Sequence, residues 1–441
     1  MTRCKLVVAF GCSLLMGLAG AVRADTSDAD LRAELDRVKS RLAELEGKQD
    51  ANWLNEQRAE EIKGLVRDVI NDADTRASLL ADGATAGHDG KNFYVGSADG
   101  ANVLKVWGQI QFRYLFNLEN VNVGDQEDEG FDVRRARIGF EGHVTAGRKW
   151  DYLLSLELNG FGVGIGALVD AKFGTALTDS LRVDVGLFKL PFTREELTSS
   201  KVLTGVERSY FNEFFTGNRA EQVQVTWSSD MFMARGSISD GMNSGVSAIG
   251  TDGTEIALSG LTAAKRMAIW DQMNAALFVG GALHFETSDG GNGVGPGNYL
   301  SWTVDGSVEV ANFGIYAAVA GGHVLDSGAG PNVDQFGFVI EVNYNINDQY
   351  VPFIRYDMVD DDIAGNSTAH LLTGGVNYYF KKHTAKITLD VVYFMTGAPQ
   401  VAGPVVGPHN AGGVAFTDGF SAGDVHGKDN FVFRLQVQLL F

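Results

Sequence analysis

The chain has 441 residues, a formal charge of −19, 55 glycines, seven prolines and two cysteines. So acidic a chain lacks the basic footprint that binding a phosphate backbone needs, which excludes nucleic acid as a partner. Both cysteines, Cys4 and Cys12, precede residue 25, so disulfides and thiolate chemistry are excluded from the body of the protein.

The first predicted element is a secretory signal over 1–24. Arg3 and Lys5 give a basic start, Leu6 to Val22 an apolar run, and Val-Arg-Ala a cleavage site after Ala24. Losing Arg3, Lys5 and Arg23 leaves about 22 net negative charges. Beyond the signal no unbroken apolar run is long enough for a membrane-spanning helix. An exported chain can still cross a membrane as a closed barrel, which satisfies every backbone group internally.

Residues 25–90 read as a helical arm and linker. Leu31, Leu35, Val38, Leu42 and Leu45 recur at steps of four and three, a heptad seam that ends where Gln49 and Asn52 take the next positions. A second helical patch follows at Ile62, Leu65, Val66, Val69 and Ile70. A helix otherwise this polar has little but a copy of itself on which to bury the stripe, which predicts a self-associating coiled coil. One amphipathic helix packed on its own domain is the alternative. GATAGHDGK, 83–91, reads as the linker.

From 91 to 441 the period becomes two. In VLKVWGQIQFRYLF, Leu104, Val106, Ile110, Phe112, Tyr114 and Phe116 alternate with Lys105, Gln109, Gln111 and Arg113. KWDYLLSLELNG, YLSWTVDGSVEV, QFGFVIEVNYNI and NFVFRLQVQLLF repeat the split. Segments of this length exceed ordinary soluble strands and match those that cross a bilayer at a tilt. The fold class is all-β: an antiparallel transmembrane barrel of about sixteen strands, with the helical arm ahead of it. The first eight lie near 103–118, 132–144, 149–160, 165–174, 181–190, 220–228, 231–240 and 255–264. The others lie near 275–286, 300–312, 313–323, 334–346, 350–359, 368–380, 384–396 and 429–441. Connections alternate between short and long, as in outer-membrane barrels, with exceptions near 161–164 and 265–274. Trp107, Trp150, Trp302 and Tyr344 read as an aromatic belt on the apolar face. A soluble sandwich or solenoid, the alternative, leaves such a face unexplained.

Three stretches carry a family resemblance: DGKNFYVGSADGANVLKVWGQIQ, FDVRRARIGFEG, and above all GLFKLPFTREELTSSKVLTGVERSYFNEFFTGNRAEQVQV. With the terminal Phe441, they resemble the phosphate-selective porins O and P over roughly 89–441. The resemblance implies a sixteen-stranded, homotrimeric outer-membrane porin whose third long loop, 191–219 by strand count, folds inward to narrow the pore. Its partners are then outer-membrane lipids, copies of itself, and the small ions or solutes that pass. Where that family usually has Gly-Gly-Arg, this chain has Trp107-Gly108-Gln109, one lumen charge fewer.

Arginine facing hydrocarbon at the bilayer midplane costs about 2–4 kcal/mol, so Ala136, Ile138 and Phe140 face lipid and Arg135 and Arg137 face the lumen. Arg134, where parity is loose, points to the rim. Arg113, Arg235 and Lys149 are wall residues by parity, and Lys189, Arg194, Lys201, Arg208 and Arg219 stand on or beside the inward loop. These ten are the pore-lining, anion-binding candidates. Glu141, Asp151, Glu157, Asp184, Glu341 and Asp357 share the inward parity, so the arginines either set the field or brace the wall. For Arg194 and Arg208, beside Glu195, Glu196 and Glu207, fixing the loop is the stronger reading. The function expected is passive diffusion of small hydrophilic solutes, with anions such as phosphate preferred. A non-selective pore, or a barrel that anchors the envelope through its coiled coil, are the alternatives.

Nothing points to an enzyme, a cofactor or a metal. His143, His284, His323 and His370 lack ligand spacing, and no GxSxG occurs. DMVDDDIAGNS, 357–367, resembles part of a calcium loop without its distal glutamate and reads as a solvated loop. VDAKFGTALTDS, 169–180, reads as turn and loop.

Overall fold

The computed structural model describes residues 83–119, 126–158, 167–242, 257–264, 267–270, 275–288, 297–325, 333–362, 368–396 and 429–441. It also describes helical positions at 33, 35–41, 43–44, 63–64 and 67. The chain divides into two compact units, Met1–Ala81 and Asp82–Phe441. The signal and most of the heptad seam lie outside the described residues. In the first unit Leu35 and Val38, both on the seam, are helical and exposed.

The second unit opens with a hairpin, β1 (Ala84–His88) and β2 (Phe93–Ser97), paired to each other. The linker reading of 83–91 is thereby corrected. Asp89 accepts from the amides of Lys91 and Asn92 and turns the chain, and β2 then lies on the start of β3 (Asn102–Glu119). There follow β4 (Gln126–Ala146), β5 (Arg148–Glu157), β6 (Ala167–Ala176) and β7 (Leu181–Lys189). Two short helices, α1 (Arg194–Leu197) and α2 (Tyr210–Phe215), interrupt the strands before β8 (Arg219–Ser228) and β9 (Phe232–Ser239). Next come β10 (Ala257–Ala264), a short β11 (Met267–Trp270), β12 (Ala275–Ser288), β13 (Gly297–Val310) and β14 (Phe313–Leu325). The chain closes with β15 (Asp334–Tyr344), β16 (Tyr350–Asp360), β17 (Ala369–Lys381), β18 (Ala385–Phe394) and β19 (Asn430–Leu440).

All nineteen strands belong to one antiparallel sheet. From β3 each long strand pairs with the next, β10 pairing directly with β12, and β19 pairs with β3 through Phe431↔Leu118 to Leu440↔Gln109. Each of the sixteen segments expected from alternation is a strand, with ends within three residues except in β4, which starts six residues early. VDAKFGTA, read as turn material, lies in β6; its Asp and Lys alternate with Val, Ala and Phe like any other strand here.

The sheet is polar on its covered side. In β19, Asn430, Val432, Arg434, Gln436 and Gln438 are buried while Phe431, Phe433, Leu435, Val437 and Leu439 are exposed. Arg434 has no exposed surface and donates twice to equally buried Asp390 of β18, at 2.7 and 2.9 Å. A sheet folded for water would invert this order. The short turns join strands tightly. At Gly147 a single residue with φ of +68° links β4 to β5, a left-handed conformation that favours glycine.

Trp150, Trp302 and Tyr344 lie on the apolar side, but Trp107 does not. It shares the parity of buried Gln109, and its indole lies against Gly139 on the polar side, where a Cβ would meet the ring at 2.1 Å. Position in the alternation, not residue type, decides the side.

Candidate functional site

The connection from Leu190 to Asn218 packs along the polar side of the sheet. Thr193 precedes α1, and Ser209 caps α2 by accepting from the Asn212 amide at 2.9 Å. Both helices are too short to hold themselves, so the segment takes its shape from the wall.

Its polar anchor is Glu207, 1 % exposed. Arg113 of β3 reaches it at 3.0 Å, Arg135 of β4 at 3.0 Å, and Arg134 joins them. Consecutive strand residues normally face opposite sides. Here the β3–β4 register shifts between Gln111, opposite Arg135, and Phe112, opposite Val133, and Arg134 is the extra residue. This bulge brings both arginines to one carboxylate and corrects the expectation that Arg134 points to the rim. Burial opposes the charge on Glu207, but the three guanidiniums hold its carboxyl well below the usual carboxylate range.

Further along, Lys386 donates to the Leu203 carbonyl at 2.6 Å, Asn377 to Thr204 at 2.7 Å, and the Val206 amide to Asp390 at 2.9 Å. Arg355 of β16 donates to the carbonyls of Glu207 and Arg208 at 3.2 and 3.3 Å. Ser200 bonds to Gln109 and, through its carbonyl, to Gln111. The apolar anchor is α2. Tyr210, Phe211, Phe214 and Phe215 are buried against Ala318, Ala320, Val339, Val359, Leu371 and Val392, small and branched residues on an otherwise polar face. Each such ring contributes about 1.5–3 kcal/mol.

The segment covers β13 to β19 and leaves open a cavity of about 510 Å³ along β3 to β9. Seven basic side chains line it, Arg137, Lys172, Arg182, Lys189, Lys201, Arg219 and Arg235, against the carboxylates Glu141, Asp170 and Asp184. Four of the seven are paired: Arg137 with Glu157, Arg182 with Asp151 and Asp184, Lys189 with Glu196, and Arg219 with Asp170. Among the described residues Lys172, Lys201 and Arg235 make no ion pair. Lys201 Nζ lies 3.2 Å from the centroid of Trp107 and Lys172 Nζ 5.1 Å from that of Phe188, so π faces hold both without cancelling their charge. Burial pushes the Lys201 ammonium down to about 8, against the pull of Glu141.

Of the ten candidates, Arg137, Lys189, Lys201, Arg219 and Arg235 line this cavity. Arg113 and Arg135 do not; they are buried at Glu207. Arg194 pairs with Asp305 and bonds to Ser307 of β13. Arg208 pairs with Glu196 and donates to three carbonyls of its own segment. Lys149 stands at the short-turn end, its side chain 60 % exposed and 3.7 Å from Asp151. Sequence reasoning missed Lys172 and Arg182, although both stand at inward parity. It also missed Glu207 as a hub, for which no local signal exists. Asp357, in the stretch compared with a calcium loop, instead lies in β16 against Arg355 at 3.3 Å. No group of three metal-ligating side chains occurs among the described residues.

Sixteen long antiparallel strands with a polar covered side, packed on that side by the connection from Leu190 to Asn218, have the fold of outer-membrane porins of known structure. OmpT of Vibrio cholerae with loop L8 deleted matches with a TM-score of 0.52 at 13 % identity, over 77 % of this chain and 100 % of that one. OmpF of Salmonella typhi in complex with daunomycin matches at 0.52 and 14 %, over 77 % and 98 %. The outer-membrane channel DcaP of Acinetobacter baumannii matches at 0.50 and 11 %, over 77 % and 98 %. Identities this low establish the fold alone. Residues 105–263 match the family model of phosphate-selective porin O and P, so this stretch carries that family's sequence pattern and bears out the resemblance. A search of curated protein sequences returns no match.

Proposed function

We propose that the chain is exported by its signal peptide and forms a closed sixteen-stranded barrel in the bacterial outer membrane. It conducts small hydrophilic solutes by passive diffusion and prefers anions. The pairing of β19 with β3 supports closure, and the exposed apolar side supports a hydrocarbon surround. The polar side is then the lumen, the short turns face the periplasm, and segment 190–218 narrows the passage. The porins it resembles include a trimeric form of Vibrio cholerae OmpT, which supports a homotrimer. Residues 25–81 serve as its periplasmic arm.

The observation that carries anion preference is the set Lys172, Lys201 and Arg235, three cations that line the open cavity and make no ion pair among the described residues. Fixed charges of one sign in a narrow wet channel set the sign of the permeant ion. Arg113, Arg134 and Arg135, gathered at Glu207, hold the constriction in place. Phosphate binding gains less support, because those three arginines already bond a carboxylate. The test is the reversal potential across a KCl gradient in a planar bilayer. A potential toward chloride is expected. One toward potassium removes the anion reading, and an absence of conductance removes the channel.

A further inference from the structure

Alternation predicts polar side chains at the inward positions along β3 to β7, and the sequence breaks that rule at several, buried Leu115 of β3 among them. Trp107 on β3, Leu153 on β5 and Phe188 on β7 all turn inward, and all three line the 510 Å³ cavity. Leu197 of α1 joins them from the constricting segment. Leu153 stands directly opposite Lys172 in the β5–β6 ladder. An apolar side chain on a wet wall gains nothing from water, and four of them share one cavity with the three lining cations that make no ion pair among the described residues.

Resting on the anion preference proposed above, we infer that this cavity is a weak binding site for organic carboxylates with an apolar body, rather than for inorganic oxyanions. A hydrated inorganic oxyanion is recognised by donors converging on it from several sides. Leucine beside lysine offers one charge and a dry surface, which suits a carboxylate whose hydrocarbon tail leaves water as its head meets the ammonium. Lys172 and Lys201, held on ring faces rather than by carboxylates, can meet such a head group, and the Arg235 guanidinium adds a third cation to the cavity lining. At about 30 Å³ per water the cavity holds a small acid and part of its hydration shell, so binding need not close the passage to water.

The experiment uses the full chain in planar bilayers at fixed KCl, with acetate, butanoate, hexanoate and inorganic phosphate as the probes. Each added methylene buried on Leu153 strengthens block about fourfold, so with two of its four added methylenes buried hexanoate reduces conductance at about one-tenth the concentration of acetate, and phosphate is weaker than hexanoate. Leu153→Asn brings the hexanoate-to-acetate ratio close to one, with assembly checked by heat-modifiable migration on gels. A flat acid series, phosphate as the strongest blocker, or a ratio that survives Leu153→Asn overturns this inference and leaves anion preference standing. A potassium-directed reversal potential instead overturns the reading on which it rests, and the inference with it. The acid series needs no variant, so a misfolding substitution does not shield the proposal.

Discussion

Arg135 donates to Glu207 at 3.0 Å, tying β4 to the constricting segment across 72 positions of sequence. Both side chains are almost fully buried, and the carboxylate answers two further guanidiniums. Removing one partner from such a cluster costs about 3–5 kcal/mol, because the remaining charges stay out of water. Glu207→Gln is therefore expected to release the segment from β3 and β4. Single-channel conductance rises and becomes noisier, and the heat-induced mobility shift on gels moves to lower temperature. The folded carboxyl titrates below its unfolded value, so this contribution is fully present at neutral pH and disappears only as pH falls through the folded value. Unchanged conductance in Glu207→Gln would show that the apolar anchor alone fixes the segment.

Lys201 works in the opposite pH range. Burial pushes its ammonium down to about 8, so it carries full charge below that value and loses it above. If it contributes to the field in the lumen, anion preference is greatest at pH 6 and declines as pH rises through 8. Lys201→Arg is expected to make the decline shallower, and reversal potentials recorded from pH 6 to 9 on both proteins decide the matter.

These two residues also show how much of the molecule is legible in its sequence. The sixteen long strands are readable, because hydrocarbon on one side and water on the other force a two-residue period that only a bulge disturbs. Arg134 marks the limit. Parity places it opposite Arg135, and only the register shift against Phe112 brings the two together. Trp107 was misplaced by residue type when its parity with Gln109 gave the right side. Glu207 was beyond reach, since its partners lie at positions 113, 134 and 135 and no spacing rule links them. The hairpin at 84–97 was missed because Gly, His and Asp suggest a turn; its strands form by extending β3 rather than from their own propensity.

Gly337 on β15 tests the apolar anchor. A Cβ there would meet the Phe215 ring at 2.7 Å and the Met358 carbonyl at 2.8 Å. Gly337→Val is expected to push α2 off the wall at a cost of about 1–3 kcal/mol. The Cβ also presses the main chain of β16, so the variant broadens the distribution of open-channel currents and lowers the temperature of the heat-induced mobility shift. Normal current noise in this variant would place the hold on the segment in the Glu207 cluster instead.

The solvent outside the sheet is tested by a single step along β19. Arg434 is buried on the polar side beside Asp390, and the next residue, Leu435, is 40 % exposed on the other. On a water-facing surface a substitution at so open a position changes stability by no more than about 0.5 kcal/mol. Facing hydrocarbon near the midplane, Leu435→Arg costs about 2–4 kcal/mol, because no carboxylate waits there and the guanidinium must drag water with it. Thr226→Glu, inward on β8 opposite Arg235 and lining the open cavity, is expected to cost far less, since it meets water and a cation there. Equilibrium folding into lipid vesicles under a urea gradient separates the two variants. A Leu435→Arg midpoint matching that of the natural chain means that the exposed leucine touches water, and the transmembrane reading then fails at the residue where it makes its simplest claim.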